Sequence, residues 1–327
     1  MRIGIHTNSI DDRGCGRVIY DYGHALRKFY NYEVFLYSSS KLPNESIDRY
    51  RKEFPIKQYD VRIGTPENNK LISSELNRLI EEDKLDFMHL IKSGDIDGVL
   101  PDACKTGVHC VFNMSQPHGS VYAGVSDYIA KKYNKTAYIP HIIKPLSPTE
   151  DIRNRYNIPK DALVIGRHGG RDTFSLPFVK QAVIDTVTKH RKDVWFLFLS
   201  TAPFIENERV IYLPWAKDDQ AVYNFIHACD IMIHGRAEGE TFGLAIAEFS
   251  ACNKPVITWS GKQYPQYDKA HIDLLGKKAI IYSDYSELIN TLYSIQRSDI
   301  KKRDWDVYSE RFSDQNVIKQ YRDVFLT

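Results

Sequence analysis

The stretch DIMIHGRAEGETFGLAIAEFSACNKPVITWS, residues 230–260, decides the fold class. It reads as an apolar strand, a loop with three glycines, a short helix of small and apolar residues, and a second apolar strand. Continuously apolar strands joined by a helix are typical of a parallel sheet covered on both faces. One charge, Glu248, interrupts the helix, and a second carboxylate, Glu240, lies in the loop eight positions earlier.

The same alternation of short apolar runs and helical segments extends over the whole chain. The runs are rich in β-branched residues, which favours strands. In the first half they are residues 2–7, 33–38, 87–91, 107–114, 122–126 and 136–140. In the second half they are residues 163–169, 194–200, 209–214, 230–235, 254–260 and 278–283. The pattern predicts an α/β protein with doubly wound parallel sheets.

The length of the chain and a change in composition predict two domains. A chain of 327 residues is long for a single domain, and residues 140–161 are rich in proline and charge. We expect a first domain over 1–145 and a second over 146–305, with a final amphipathic helix in 306–327 packing back on the first. Ligands of such sheets bind beyond the carboxyl ends of the strands, in a cleft that we expect between the two domains.

Composition excludes several classes of protein. The formal net charge is +2 without a basic stripe, so no nucleic-acid partner is expected. The five cysteines form no CxxC pair and are expected to be reduced thiols in an intracellular protein. The N-terminus shows no signal-peptide pattern, and the longest apolar run is too short to span a bilayer. We expect a cytoplasmic protein and leave peripheral membrane attachment open.

The two carboxylates of the opening stretch suggest a ligand. The N-terminus of the short helix offers free amide groups and a positive dipole end, and Gly243 lets a phosphate approach the backbone. The amide groups belong to Thr241, Phe242, Gly243 and Leu244. Burying Glu248 alone is costly, and the vicinal hydroxyls of a ribose would satisfy it, while Glu240 could meet a sugar. The alternative is that Glu248 bonds a neighbouring backbone group or arginine and only orders the fold.

The segment EGETFGLAIAEFSACNKPVI resembles the E-x7-E signature of retaining GT-B glycosyltransferases, above all the family 4 group. Glu240 and Glu248 fall on its two glutamates, and residues 242–244 on its Phe-Gly-Leu. Asn253 stands where the family has glycine, and asparagine is the next best left-handed helix terminator. The resemblance implies the GT-B fold, with two Rossmann-like domains facing a cleft, and retaining transfer from a nucleotide-diphosphate sugar.

Two further segments carry the resemblance. LVIGRHGGRDTFSLPFV resembles the family's first strand of the donor domain and its diphosphate loop, which implies that Arg167 and Arg171 hold the diphosphate; a surface arginine pair is the alternative. Arg171 stands one position before the usual lysine. At the N-terminus, Gly14 and Gly16 lie in a loop that faces the cleft in the family, although a plain tight turn explains them equally well.

The resemblance also implies a histidine near the anomeric carbon of the sugar, in a loop after a strand of the first domain. His118 is the candidate, with His109 second because it falls within a strand. A structural histidine satisfied by its neighbours is the alternative for His118. The implied catalytic set is therefore Glu240, His118 and Arg167.

No essential metal is expected. Two Asp-x-Asp spacings occur, at Asp95–Asp97 and Asp304–Asp306, but neither follows a clear apolar strand. We assign both to the surface, so arginines and the helix N-terminus would neutralise the leaving diphosphate.

The function that we predict is retaining glycosyl transfer from a UDP-sugar, or next a GDP-sugar, to a glycan, lipid-linked or protein acceptor. Three alternatives stay open: a sugar-nucleotide binder of the same fold without turnover, a GT-B relative such as a sugar-nucleotide epimerase, and a Rossmann oxidoreductase. The last predicts NAD binding, against which the missing G-x-G-x-x-G fingerprint counts, because position 19 is Ile.

Overall fold

A computed structural model describes residues 1–11, 14–44, 47–216 and 218–327, apart from the side chain of Cys15. The chain divides into two compact units. The first unit contains Met1–Ile142 and Phe312–Thr327, and the second contains Ile143–Arg311. The last segment of the chain therefore returns to the first unit.

The first unit is built on a six-stranded parallel sheet. Its strands are β1 (Arg2–His6), β2 (Glu33–Ser39), β3 (Ile56–Tyr59), β4 (Phe87–Lys92), β5 (Lys105–Cys110) and β6 (Val121–Gly124). Its helices are α1 (Gly14–Tyr30), α2 (Ile47–Arg51), α3 (Pro66–Asp83) and α4 (Asp127–Lys132). The sheet has the order β3-β2-β1-β4-β5-β6.

The second unit repeats this plan with another six-stranded parallel sheet. The sheet strands are β7 (Leu163–Arg167), β8 (Val194–Leu199), β9 (Val210–Leu213), β10 (Ile231–His234), β12 (Val256–Trp259) and β14 (Ala279–Tyr282). A two-stranded parallel ribbon joins β11 (Gly239–Glu240) to β13 (Asp268–Lys269). The helices are α5 (Ile152–Arg155), α6 (Pro177–Asp185), α7 (Asp219–Ala228), α8 (Leu244–Ala251), α9 (Ala270–Leu275), α10 (Tyr285–Ser294) and α11 (Arg297–Ile300). The returning segment adds α12 (Asp314–Tyr321) to the first unit.

Both sheets have the strand order of the doubly wound nucleotide-binding fold. In each, the first and fourth strands of the unit lie side by side in the middle, and the chain reverses its winding direction between them. These switch points lie between β1 and β4, and between β7 and β10. The predicted pair of doubly wound α/β units is confirmed.

Some strand predictions were wrong. The sequence analysis did not predict β3, an edge strand whose residues are mostly half-buried. Residues 136–140 were predicted to be a strand, but they form only an isolated bridge between Tyr138 and Gly124. The short ribbon of β11 and β13 was also missed.

The apolar residues of both units form buried cores of ordinary composition. In the second unit, for example, the core packs Phe196, Phe198 and Trp259 with Val179. Across the described residues, no helix combines the length and the apolar content that crossing a bilayer requires. The four cysteines with described side chains are free thiols.

Candidate functional site

The candidate residues of the second unit converge on its switch point. Arg167 is the last residue of β7 and His234 the last residue of β10, and the two strands pair directly. The loop that follows β10 carries Glu240 and leads into α8. Because ligands of open α/β sheets bind at this place, the fold itself puts these side chains where a ligand is expected.

Arg167 is buried and holds the loop that follows its own strand. One Nη donates to Thr201 Oγ1 at 2.6 Å, and the other donates to the Gly170 carbonyl at 2.7 Å and to Thr173 Oγ1 at 2.6 Å. Burial lowers the pKa of Arg167 to about 10, opposed by the negative charge of Glu240. The guanidinium is still charged near neutral pH, next to a carboxylate at the switch point.

Arg171 differs from Arg167 because it is exposed, in the loop that begins with two glycines. Gly169 adopts φ +140°, and a Cβ there would lie 3.2 Å from an Nη atom of Arg167. The backbone of this loop therefore passes closely over the buried guanidinium. The exposed Arg171 side chain is accessible to an anion.

Glu240 lies between two cationic or donor side chains. Its Oε1 is 3.3 Å from His234 Nε2, and its Oε2 is 3.1 Å from Nη1 of Arg236. Burial raises the pKa of Glu240, but the hydrogen bond from His234 and the charge of Arg236 outweigh it and lower the pKa to about 2. The side chain keeps 21% of its surface exposed, so an ionised carboxylate is accessible to a ligand. The sequence analysis did not predict His234 or Arg236 as partners.

The backbone between Glu240 and α8 depends on two glycines. Gly239 has φ +73°, and a Cβ there would lie 2.1 Å from the carbonyl oxygen of Asp268 in the ribbon. Gly243, the N-cap residue of α8, has φ +86° and supplies no side chain to cap the first amide groups of the helix. The side chains of Thr241 and Phe242 are buried, and Leu244 begins α8 half-buried. This helix end offers backbone donors rather than side chains.

Glu248 is 1% exposed and faces His168, the residue after Arg167. The distance from Glu248 Oε2 to His168 Nε2 is 3.0 Å, and the His168 ring stacks on Phe249. The partners predicted for Glu248 were a ribose or, as the alternative, a backbone group or an arginine, and not a histidine.

His118 lies in the first unit, in the loop that enters β6. Its Nδ1 donates to the Gln116 carbonyl at 2.7 Å, which leaves Nε2 as an acceptor, buried and without a hydrogen-bond partner among the described residues. The following residue, Gly119, packs on Thr106 and Val108 of β5. The backbone at His118 is thus close to the first half of β5. His109 lies within a strand, β5, as predicted, and is fully buried there.

Gly14 and Gly16 begin α1, after a loop in which residues 12 and 13 lie outside the described part. A Cβ at Gly16 would lie 1.8 Å from the carbonyl oxygen of Asp11. Close packing of the loop on the helix therefore requires glycine at this position. That requirement is independent of any ligand.

A buried polar cluster at the switch point of the first sheet was not predicted. His6, the last residue of β1, bonds through Nε2 to the Tyr59 hydroxyl at 2.8 Å. Lys92, the last residue of β4, bonds Asp97 and donates to the Val99 carbonyl at 2.6 Å. Burial, followed by the charge of Lys92, lowers the pKa of His6 to about 4.

The Asp-x-Asp aspartates have partners within the protein. Asp97 pairs with Lys92, and Asp304 pairs with Lys278 at 2.8 Å. Asp306 accepts from the backbone amides of Tyr308 and Ser309. The described part of the chain has no cluster of three or more His, Cys, Asp or Glu side chains arranged to hold a metal ion.

Comparison with known proteins rests on structure. No protein-family model matches the sequence, and no curated protein does. The UDP-glucose complex of HepE from Anabaena aligns with a TM-score of 0.73 and 13% identity, over 99% of this chain and 98% of that chain. A glycosyltransferase from Rickettsia africae aligns with a TM-score of 0.65 and 14% identity, over 99% and 97%. A Listeria monocytogenes protein assigned as a UDP-N-acetylglucosamine 2-epimerase aligns with a TM-score of 0.65 and 12% identity, over 99% and 96%. At these identities the likeness concerns the fold, and this chain has the two-unit α/β fold of the GT-B glycosyltransferases.

Proposed function

We propose that the protein is a glycosyltransferase that binds a nucleotide-diphosphate sugar at the switch point of its second unit. The observation that carries the proposal is the meeting of a buried arginine, an ionised glutamate and an uncapped helix end at the carboxyl edges of β7 and β10. A diphosphate needs positive charge and backbone donors, and the hydroxyls of a sugar need an acceptor such as a carboxylate. The site places both kinds of partner next to each other. The fold and the E-x7-E resemblance agree with this proposal.

The charges of the site fit the parts of such a donor. Arg167, Arg171 and the amides of residues 242–244 would neutralise the leaving diphosphate, a form of electrostatic stabilisation. Glu240 would accept hydrogen bonds from hydroxyls of the transferred sugar. Glu248 would accept from the ribose hydroxyls, as the resemblance implies.

The stereochemistry, the donor and the acceptor are proposed from the resemblance to the family 4 glycosyltransferases. We propose transfer with retention of configuration, with a UDP-sugar as the first donor to test and a GDP-sugar as the second. Acceptor recognition is assigned to the first unit, together with His118 and the loop that enters α1 at Gly14 and Gly16. The acceptor classes to test are a glycan, a lipid-linked sugar and a protein.

The first test is ligand-dependent thermal stability. UDP-, GDP-, dTDP- and ADP-sugars and NAD are compared on the wild type, on Glu248→Gln, and on Glu208→Gln, the same change at an exposed glutamate of the same unit. A ligand at one hundred times its Kd adds about 2.7 kcal/mol of stability. We expect one sugar nucleotide to stabilise the wild type and Glu208→Gln, with a weakened response from Glu248→Gln. Stabilisation by NAD alone, or by no sugar nucleotide, would refute the proposal.

A turnover assay then distinguishes the three functions that include donor binding: glycosyl transfer, epimerisation and binding without catalysis. The stabilising donor is incubated with each acceptor class and followed by proton NMR. Release of the nucleoside diphosphate with a new glycosidic bond supports transfer, and the anomeric coupling constant tests retention. A change of configuration at C2 of the intact or released sugar, without an acceptor, would identify an epimerase. Binding without either product would identify a non-catalytic binder.

A further inference from the structure

A chain of buried polar groups runs from Glu240 into the core of the second unit. His234 Nε2 lies 3.3 Å from Glu240 Oε1, and His234 Nδ1 lies 3.0 Å from Thr258 Oγ1. The same hydroxyl oxygen lies 2.9 Å from His271 Nε2. Exposure falls along the chain, from 21% of the Glu240 side chain to none of Thr258 and His271. One end reaches solvent, and the other end is in the core.

The hydrogen atoms in this chain can be assigned from the acceptor at its exposed end. An ionised carboxylate only accepts, so the proton must be on Nε2 of His234. Nδ1 of a neutral imidazole is then an acceptor, and the Thr258 hydroxyl must donate to it. The Thr258 oxygen in turn accepts from Nε2–H of His271. Every donor in the chain therefore points toward Glu240.

The buried end agrees with this direction. Tyr267 donates its hydroxyl hydrogen to the Trp259 carbonyl at 2.8 Å, so its oxygen can accept from His271 Nε2, 3.3 Å away. Nδ1 of His271 is buried and has no hydrogen-bond partner in the described part of the chain. A bare lone pair costs less in the core than an orphaned N–H, which puts the proton on Nε2. The two ends thus give the same proton arrangement independently.

We propose that His234 and Thr258 are positioning residues for the carboxylate of Glu240. The Thr258 hydroxyl donates to Nδ1 and fixes the ring of His234, and Nε2–H of His234 locks Glu240 Oε1. The remaining acceptor sites of the carboxylate are thereby oriented toward a sugar hydroxyl before the donor arrives. The role of Glu240 as sugar ligand rests on the proposed function. Supporting shells of this kind fix the geometry of the groups that touch a ligand. Residues 254–260, KPVITWS, were predicted as an apolar strand, and they contribute to the site through the buried hydroxyl of Thr258.

The functional test uses UDP-glucose and UDP as paired probes. Thr258→Val keeps the shape of the side chain and removes the hydroxyl, whereas Thr258→Ser keeps the hydroxyl. We expect Thr258→Val to weaken UDP-glucose binding about tenfold, as loss of one buried hydrogen-bond partner does, and to leave UDP binding unchanged. Thr258→Ser is expected to restore most of the affinity for UDP-glucose. Equal loss for UDP and UDP-glucose would mean a general structural effect and would overturn the positioning role.

The proton arrangement has its own test, which needs no ligand. Ring 15N shifts distinguish the two neutral histidine tautomers, and the signals of His234 among the 11 histidines are assigned by their loss in His234→Gln. We expect the Nε2–H tautomer in the wild type and in both Thr258 variants, because Glu240 still accepts from Nε2 of His234 when the Thr258 hydroxyl is removed. An Nδ1–H tautomer or an imidazolium in the wild type at neutral pH would overturn the inference.

The two measurements separate the possible failures. If the wild type binds neither UDP-glucose nor UDP, the choice of donor is wrong, and the 15N measurement still decides the proton arrangement. If UDP-glucose binds and Thr258→Val binds it equally, the positioning role is wrong while the proposed donor stands.

Discussion

Arg167 donates to Thr173 Oγ1 over 2.6 Å, so the side chain that ends β7 also fixes the glycine-rich loop that follows it. We expect Arg167→Lys to lose this bond or the one to Thr201, because an ammonium group lacks the fork of donors of a guanidinium. The free energy of unfolding of the second unit should fall by about 1–3 kcal/mol, and UDP affinity about tenfold. Tryptophan fluorescence can follow the unfolding, because all four tryptophans lie in Ile143–Arg311.

The matched control for that change is Arg171→Lys. Arg171 is exposed in the same loop, so the substitution should leave stability within about 0.5 kcal/mol of the wild type. Equal stability of Arg167→Lys and Arg171→Lys would show that the buried hydrogen bonds of Arg167 have no special importance for the fold.

Gly239 gives a second prediction, on the ribbon that carries Glu240. Alanine there would meet the Asp268 carbonyl in a left-handed backbone, and we expect a loss of about 2–4 kcal/mol of stability from strain and displacement. Gly276→Ala is the control, because Gly276 is also left-handed, at φ +53°, but has open space around it. Urea unfolding should show the larger loss for Gly239→Ala. Similar losses in both would mean that only the backbone conformation matters.

The parts of the fold that the sequence predicted were the buried ones. Central strands such as β7 and β10 are free of polar side chains up to their last residues, Arg167 and His234, because helices cover both faces of the sheet. The edge strand β3, with the sequence IKQY, has polar residues at Lys57 and Gln58, on opposite faces of the sheet, and gives no such signal. Residues 136–140 have strand-like composition, yet they reach only one bridge at the edge of the first sheet.

The part of the candidate site formed by residues close together in sequence was predicted. The residues that reach it from distant parts of the sequence were not. Glu240, Gly243 and Glu248 belong to one loop and helix, so their spacing alone brings them together. His168 follows the end of β7 and Thr258 lies in β12, and nothing in their local sequence distinguishes them from core residues. Their roles follow from strand register, which sequence patterns do not specify.

The buried histidine at the end of β1 predicts how stability depends on pH. His6 has a pKa of about 4 in the folded protein against 6.5 in the unfolded chain, so below pH 6.5 the unfolded state takes up a proton that the native state refuses. The resulting destabilisation grows as the pH falls from 6.5 to about 4, and a difference of about 2.5 in pKa corresponds to about 3 kcal/mol. Above pH 6.5, His6 is neutral in both the folded and the unfolded state, so it causes no loss of stability there.

His6→Gln tests that prediction, because glutamine can keep a bond to Tyr59 and does not titrate. Urea unfolding followed by circular dichroism should show a pH dependence smaller by about 3 kcal/mol between pH 7 and pH 4. His190→Gln, at an exposed histidine, should keep the wild-type dependence. The prediction fails if His6→Gln and the wild type lose the same stability over this range.

Phe325 tests the attachment of the returning segment to the first unit. Its ring is buried, 5.5 Å from the ring of Phe87 and 5.2 Å from that of His89. We expect Phe325→Ala to destabilise the first unit by about 3–5 kcal/mol, the usual cost of a cavity of this size. Leu71→Ala, at an exposed apolar residue of α3, should cost less than about 0.5 kcal/mol. Circular dichroism should detect the loss, with tryptophan fluorescence unchanged if the second unit stays folded.

The return of Phe312–Thr327 to the first unit means that the second unit is inserted between two parts of the first. During synthesis, the whole of Ile143–Arg311 is made before the aromatic side chains that complete the first unit. The first unit must therefore wait with part of its core uncovered until the end of the chain has been made. The unit that is begun first is the unit that is completed last.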